Sequence, residues 1–301
     1  FSSYRMTFAF GGSILVLALF KPLTDFFSRM KLVDGLPSMA FGWQMAAVVF
    51  AVMATCMFLL TFLWTKERIR PILEKKSSLK SDLKDLGVNK PWWILLGASV
   101  MVLVFNSLRD GAAVFYFKYY VEGADLWSFS IMDASLTLIT IYLVLGQAFN
   151  IVGILCVPAL TRAIGKKLTF LSAMAVATVL SIIFYFLPKD MVVAILSMQI
   201  LISFCAGIVS PLMWSMYADI ADYSEWKTGR RATGLIFSSS SMSQKLGWTI
   251  GGSLSGWLLF YFGFEANVVQ TETALTGICL MMSVLPACAT LFSVLFISGY
   301  P

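Results

Sequence analysis

The chain has 301 residues, of which 59% are hydrophobic and only 13% charged, with a formal net charge of +6. A soluble domain carries roughly 45–50% apolar and about 25% charged residues, and could not hide this much apolar surface, because a folded chain still exposes a large area to water. With a mean hydropathy of +0.83, these values exclude a soluble enzyme, a disordered chain and a collagen-like or disulfide-rich secreted scaffold. They predict an integral membrane protein. The absence of histidine removes His-based catalysis and His metal ligation.

A membrane-crossing helix needs about 20 mainly apolar residues. Eight stretches qualify in chain order: 6–23, 42–64, 92–121, 134–161, 168–187, 192–216, 233–262 and 275–298. They are long and uninterrupted, without the alternation of a membrane barrel, and helices satisfy their own backbone polar groups in lipid. The predicted fold is therefore all-α, a polytopic bundle, with strands unexpected. Because the sequence opens at Phe1 inside an apolar run, a fragment of a longer chain is expected.

Positive residues mark the cytoplasmic loops of membrane proteins. Residues 65–91 hold Lys66, Arg68, Arg70, Lys75, Lys76, Lys80, Lys84 and Lys90; the turn after the fourth span holds Arg162, Lys166 and Lys167; the one after the sixth holds Lys227, Arg230 and Arg231. The loops between these are poor in Lys and Arg, Lys189 excepted, and only the first loop, with Arg29 and Lys31, departs from the alternation. Both ends of the chain are thus expected in the cytoplasm, in a multi-pass protein of the cell (inner or plasma) membrane. The positive charge reads as a topology signal, not as a nucleic-acid surface. Cys56, Cys156, Cys205, Cys279 and Cys288 lie within spans and have no CxxC spacing, which suits packing.

The one long polar stretch, 65–91, divides two spans from six. Within it Leu79, Leu83 and Leu86 recur at i, i+4 and i+7 among Lys and Asp, the pattern of a short amphipathic helix lying along the membrane surface. The predicted organisation is 1–64 as the last two helices of an N-terminal bundle, 65–91 as a central cytoplasmic loop, and 92–301 as a six-helix C-terminal bundle. Six-helix halves joined by such a loop are the plan of major-facilitator transporters.

Ionisable groups inside a bilayer are costly and mark functional candidates. In the third span Asn106, Arg109 and Asp110 fall at i, i+3 and i+4, one helix face, where they can line a watery cavity and bind polar substrate groups. Structural pairing with neighbouring helices is the competing reading. Lys118, further along, is expected to snorkel to the outer surface.

The sixth span closes with Asp219, Asp222 and Glu225 at i, i+3 and i+6, followed by Lys227, Arg230 and Arg231. This set reads as an ion-pair latch, a cytoplasmic gate that breaks in one conformation. A solvated salt-bridged loop ranks next, and a magnesium-diphosphate Asp pair, as in membrane prenyl transferases, ranks third, since a second Asp-rich cluster is missing. In the seventh span Ser238, Ser241, Lys245 and Trp248 form one stripe of hydroxyls, an ammonium and an indole, which can hold a sugar. Close helix packing explains the Ser run and Gly251 and Gly252 well, but not Lys245, which needs an acidic partner; Asp110 or a carboxylate from the expected missing part of the chain are the candidates. The turn Pro158 to Lys167, with Gly165, suits helix-end capping as well as gating.

The segment YADIADYSEWKTGRRATG (217–234), followed by the Ser-rich span with Lys245, resembles the glycoside-pentoside-hexuronide:cation symporter family, the melibiose-carrier branch of the major facilitator superfamily. LKSDLKDLGVNKPWW (79–93) resembles that family's central loop, NSLRDGAAVFYFKYY (106–120) its seventh helix, and Ser3-Tyr4-Arg5 the start of its fifth. Together these cover nearly the whole chain. The resemblance implies twelve helices in the intact protein, of which the eight here are the fifth to the twelfth. It also implies coupled uptake of a glycoside, pentoside or hexuronide with Na+ or H+. Lys245 matches the family's eleventh-helix lysine near the sugar and cation sites, Ser240 and Ser241 fall where sugar-facing residues occur, and Asp219 and Asp222 match its acidic pair on helix ten. Its main cation carboxylates lie on helices outside this chain, so no metal site is expected here.

The resulting expectation is a monomeric secondary transporter without a cofactor, whose partners are a small sugar, a coupling cation and the lipid bilayer. Lys245, Ser238, Ser240, Ser241, Trp248, Asn106, Arg109 and Asp110 would bind substrate, and Asp219, Asp222, Glu225, Arg230 and Arg231 would gate the inside. The rival from another class is a membrane prenyl or lipid-group transferase using Asp219 and Asp222 with Mg2+.

Overall fold

The computed structural model of the chain describes residues 2–33, 36–66, 79–121, 129–131, 134–228 and 233–301. In chain order the helices are α1 Ser2–Ser28, α2 Met39–Trp64, α3 Leu79–Gly87, α4 Lys90–Phe115, α5 Leu138–Tyr185, α6 Val192–Thr228, α7 Thr233–Tyr261, α8 Glu272–Met282 and α9 Val284–Ser298. Among the described residues six helical stretches are long and apolar enough to cross a membrane: Ser2–Ser28, Met39–Trp64, Lys90–Tyr120, Leu138–Tyr185, Val192–Thr228 and Glu272–Ser298. Two of the eight expected spans are merged in α5, whose 48 residues would reach ~72 Å if straight, more than twice a bilayer's ~30 Å core. They part at Gly165, where φ is 79° and ψ 166°, a conformation essentially restricted to glycine. The serines of α7 lower its hydropathy, yet its 29 residues form one helix.

Three local features depart from the sequence reading. Two antiparallel ribbons occur: β1 (Leu32–Val33) with β2 (Leu36–Pro37), and β3 (Phe129–Ile131) with β4 (Ala134–Leu136). The fourth span therefore begins at Leu138 instead of 134, because Ala134 to Leu136 satisfy their backbone groups across to Ile131 and Phe129. The sixth span runs on to Thr228: Tyr217, Ile220, Ala221 and Ser224 stay buried while Asp219, Asp222 and Glu225 point outward, an amphipathic continuation beyond the apolar run. Finally, α3 does not merely lie along a surface. Its Leu86, 5% exposed, belongs to the same apolar cluster as Trp92, Tyr217, Ile220 and Ile236, while Leu83 faces outward.

Two apolar clusters fill the bundle α4–α9. One, around Trp92, Leu95, Phe170 and Tyr217, lies toward the Gly165 end; the other, around Phe105, Tyr116, Tyr142 and Phe184, lies toward the opposite end. Helix α1 packs on α2 and against α5. Bare backbone sets the tightest contacts. A Cβ on Gly207 of α6 would meet the Asn150 carbonyl oxygen of α5 at 2.2 Å, and one on Gly153 the Phe204 carbonyl at 2.3 Å. Between α4 and α7, a Cβ on Gly247 would meet the Leu103 Cβ at 2.5 Å, and one on Gly251 the Ser107 Cβ at 2.5 Å. Both numbers rise together, so these two helices run parallel in a fixed register. Small residues permit such approach where lipid offers no hydrophobic drive between helices.

Gly207→Ala is expected to lower stability by about 1–3 kcal/mol through overpacking against backbone, although alanine favours helices. Gly256→Ala, where nothing lies within 4 Å, should be neutral or mildly stabilising. Thermal unfolding of the two purified variants in the same detergent checks the opposite signs.

Candidate substrate-facing surface

Helix α7 sorts its serines onto two faces. Ser239, Ser240, Ser243, Gly247, Gly251 and Ser255 are buried, and their hydroxyls and backbone knit α7 to its neighbours. The Trp92 indole N–H donates to Ser239 Oγ at 2.8 Å, Tyr217 Oη lies 3.4 Å from Ser243 Oγ and donates to Ser99 Oγ at 3.3 Å, and Ser107 Oγ donates to the Trp248 carbonyl at 3.2 Å. Ser238, Ser241, Lys245 and Trp248 share the other face and are exposed, Trp248 to 46%. Ser240 departs from the expectation. At 2% exposure it faces the packed side, since a residue one position from Ser241 is turned about 100° around the helix.

The α4 trio splits in the same way. Asp110 is exposed and Asn106 half-buried, but Arg109 is only 5% exposed. Instead of lining a cavity beside Asp110, it points into the bundle. Its Nη1 donates to the Met282 carbonyl at 2.6 Å, and its Nη2 to Tyr142 Oη and Gln199 Oε1, both at 2.9 Å. The guanidinium carbon also lies 5.2 Å from the centre of the Phe184 ring and 5.8 Å from that of Phe105. The cause lies in the last membrane helix. Met282 ends α8, Ser283 leaves helical geometry (φ −127°, ψ −88°), and α9 begins at Val284. The N–H that would bond the Met282 carbonyl belongs to position 286, a proline, which has none. Arg109 supplies the missing donor.

Asp110 also fails as the partner of Lys245. With Gly251 opposite Ser107 on parallel helices, Asp110 stands level with residue 254, about nine residues or ~14 Å along the axis from Lys245. Among the described residues Lys245 has no carboxylate within 4 Å. A second cation was not anticipated. The Arg5 guanidinium of α1 lies 4.3 Å from the Trp214 ring centre on α6, and Trp214 stacks on Phe237 of α7 at 6.3 Å. Phe237 is one turn before Ser241, so Arg5 is brought toward the same face. The sequence marked Arg5 only as part of Ser3-Tyr4-Arg5 at the start of an apolar helix, without a role at this face.

At the Gly165 end Asp219 is not paired within its own segment. Both its oxygens accept from Lys166 Nζ, at 2.8 and 2.7 Å, while Lys167 donates to the Tyr300 carbonyl. Burial, reinforced by Asp219, pushes the Tyr300 phenol up to about 12. Asp222 and Glu225 are exposed on the last turns of α6; Arg230 and Arg231 lie outside the described residues. At the opposite end Lys118 donates to Asn267 Oδ1 at 2.9 Å, a tether to the α7–α8 connector. Among the described residues no group of three or more Cys, Asp or Glu could hold a metal ion, and with Asp219 taken up by Lys166 the Asp219–Asp222 magnesium reading gains no support.

The long apolar helices define a multi-pass helical membrane protein. Residues 1–301 match the family described as MFS/sugar transport protein, and the chain belongs to that family. It is 33% identical over 270 residues to the isoprimeverose transporter of Lactiplantibacillus pentosus, covering 89% of this chain and 52% of that protein. It is 28% identical to the putative glycoside/cation symporter YagG of Escherichia coli K12, over 94% of this chain and 58% of the relative. To the inner membrane symporter YicJ of the same strain it is 28% identical, over 99% and 61%. The chain thus spans between half and about three-fifths of these relatives' lengths.

Arg109→Met is expected to destabilise the bundle by about 1–3 kcal/mol, because the Tyr142, Gln199 and Met282 acceptors lose their donor. Asp219→Asn, at an exposed pair, should cost less than about 1 kcal/mol. Melting midpoints of the purified proteins in one detergent check the ranking.

Proposed function

We propose that the complete protein is a symporter that couples uptake of a glycoside, pentoside or hexuronide to Na+ or H+ by alternating access. The observation that carries this reading is the exposed α7 stripe: Ser238, Ser241, Lys245 and Trp248 present hydroxyls, an ammonium and an indole to the side of the helix left free by packing. A sugar needs donors and acceptors for its hydroxyls and a flat apolar surface for its ring face. The names of the relatives, an isoprimeverose transporter and glycoside/cation symporters, support the same substrate class.

In this reading residues 1–64 end one bundle, 65–91 link it to the next, and 92–301 form the second, with sugar and cation bound between them. Lys245 sits beside the sugar or a carboxylate from a preceding helix, Asp110 and Asn106 line the wet side of α4, and Arg5 approaches from the first bundle. Arg109 acts indirectly, by fixing the broken last helix. The Gly165 end faces the cytoplasm, as the clustered Lys and Arg suggest, and Asp219 with Lys166 braces it. Asp222, Glu225, Arg230 and Arg231 complete the inner gate. The protein works as a monomer without a cofactor.

Uptake of a labelled glycoside by the full-length protein in proteoliposomes tests this. It should require an imposed inward cation gradient, and Lys245→Ala should reduce the initial rate by at least about tenfold, the worth of one charge-assisted hydrogen bond. Gradient-independent uptake, or full activity in Lys245→Ala, would refute the assignment.

A further inference from the structure

A cavity of about 540 Å³ opens at the end of the bundle opposite Gly165, a size typical of small-molecule sites. Tyr119 and Tyr120 line it from the end of the third span, Tyr185 from the end of α5, Lys189 from the α5–α6 connector, and Glu272 and Thr276 from the first turns of α8. No lining residue comes from α1, α2 or α7, so the cavity is separate from the α7 stripe. It lies where these spans begin and end, at the water-facing surface of the bundle.

Much of the lining is already committed. Lys189 is engaged within the chain. The Lys118 ammonium lies 5.0 Å from the centre of the Tyr119 ring, and Tyr119 Oη accepts from the Asn267 N–H at 3.0 Å. Tyr120 stacks on Tyr116 at 5.0 Å. What is left for a ligand lies on α5 and α8. Glu272 is exposed and, among the described residues, its carboxylate has no Lys or Arg nitrogen within 4 Å. Thr276 Oγ1 donates to the Glu272 carbonyl at 2.8 Å and keeps its lone pairs to accept. The Tyr185 ring makes a T-shaped contact with Phe186 at 5.4 Å and stays only half-buried.

These remaining groups suit a neutral, hydroxyl-rich ring. The lining holds one carboxylate and one ammonium, so its charges cancel and favour no ionic ligand. Adjacent sugar hydroxyls can donate to the oxygens of Glu272 in charge-assisted bonds, another can donate to Thr276 Oγ1, and the C–H face of the ring can lie on Tyr185. We propose that this cavity is a second carbohydrate site, which holds a neutral pyranoside at the mouth of the bundle, remote from the α7 stripe. The choice of a sugar as ligand rests on the symporter reading above. A hexuronide would set its carboxylate against Glu272, so this site selects neutral glycosides.

Saturation-transfer difference NMR on the full-length protein in nanodiscs tests the idea without requiring transport. The probes are methyl β-D-xylopyranoside, methyl β-D-glucopyranoside and methyl β-D-glucuronide, and Lys245→Ala is the background, because it disables the α7 stripe. In that background the two neutral probes should still bind, and the glucuronide should bind about tenfold more weakly. Adding Glu272→Gln should weaken the neutral probes by about tenfold, the worth of one charge-assisted hydrogen bond, and erase the discrimination against the glucuronide. Adding Tyr185→Leu, which leaves every charge in place, should weaken the neutral probes by about fivefold, the worth of one ring contact. Binding with these dependences upholds the site even where wild type shows no gradient-driven uptake. Loss of all neutral-probe binding in Lys245→Ala, binding unchanged by either added substitution, or a glucuronide held as tightly as the glucoside would overturn the site and leave the symporter reading standing.

Discussion

Removing one hydrogen-bond donor from a membrane helix leaves a carbonyl that lipid cannot satisfy, and the bundle is organised around that debt at Met282. Pro286 cannot donate to it, so the last span breaks at Ser283 and Arg109 reaches across from α4. The same guanidinium holds Tyr142 of α5 and Gln199 of α6. Four helices are thereby tied to one cation, and the charge is balanced by oxygen dipoles and ring faces, with no carboxylate among the described residues within 4 Å. Charged residues inside membranes commonly find backbone carbonyls in this way.

A second constraint shapes α7. Its serines do two jobs because a helix has two sides. Those facing α4 and α6 lie within hydrogen-bond reach of Trp92 and Tyr217 and let the backbones close in, while Ser238 and Ser241, facing away, are left exposed and donate to their own helix's backbone. The parallel, glycine-lined contact between α4 and α7 then fixes the heights of Asp110 and Lys245 relative to each other. Any motion that exposes one end of this pair to a new environment must carry both helices as a unit.

The membrane class and the all-helical fold were legible from the sequence because lipid imposes a length and an apolarity that hydropathy reads directly. The α7 stripe was legible because Ser238, Ser241, Lys245 and Trp248 recur with the helical period. What escaped was phase and partnership. Arg109 and Asp110 are consecutive, and spacing alone cannot tell which turns inward; Pro286, far along the chain, decides it. The partner of Asp219 lies 53 residues earlier, beyond any local pattern, and the ribbon at Ala134–Leu136 was hidden inside an apolar run that also suits a helix.

The glycines also predict how damage could be genetically repaired. At Gly97 a new methyl would strike the far end of the Phe296 ring at 2.9 Å, so a smaller residue at 296 could restore the fit. At Gly207 the obstacle is the Asn150 carbonyl, which every residue type possesses. At Gly165 nothing lies within 4 Å and only the torsion angles object. Second-site suppressors should therefore arise readily for the first position, and only the restoration of glycine itself should rescue the other two.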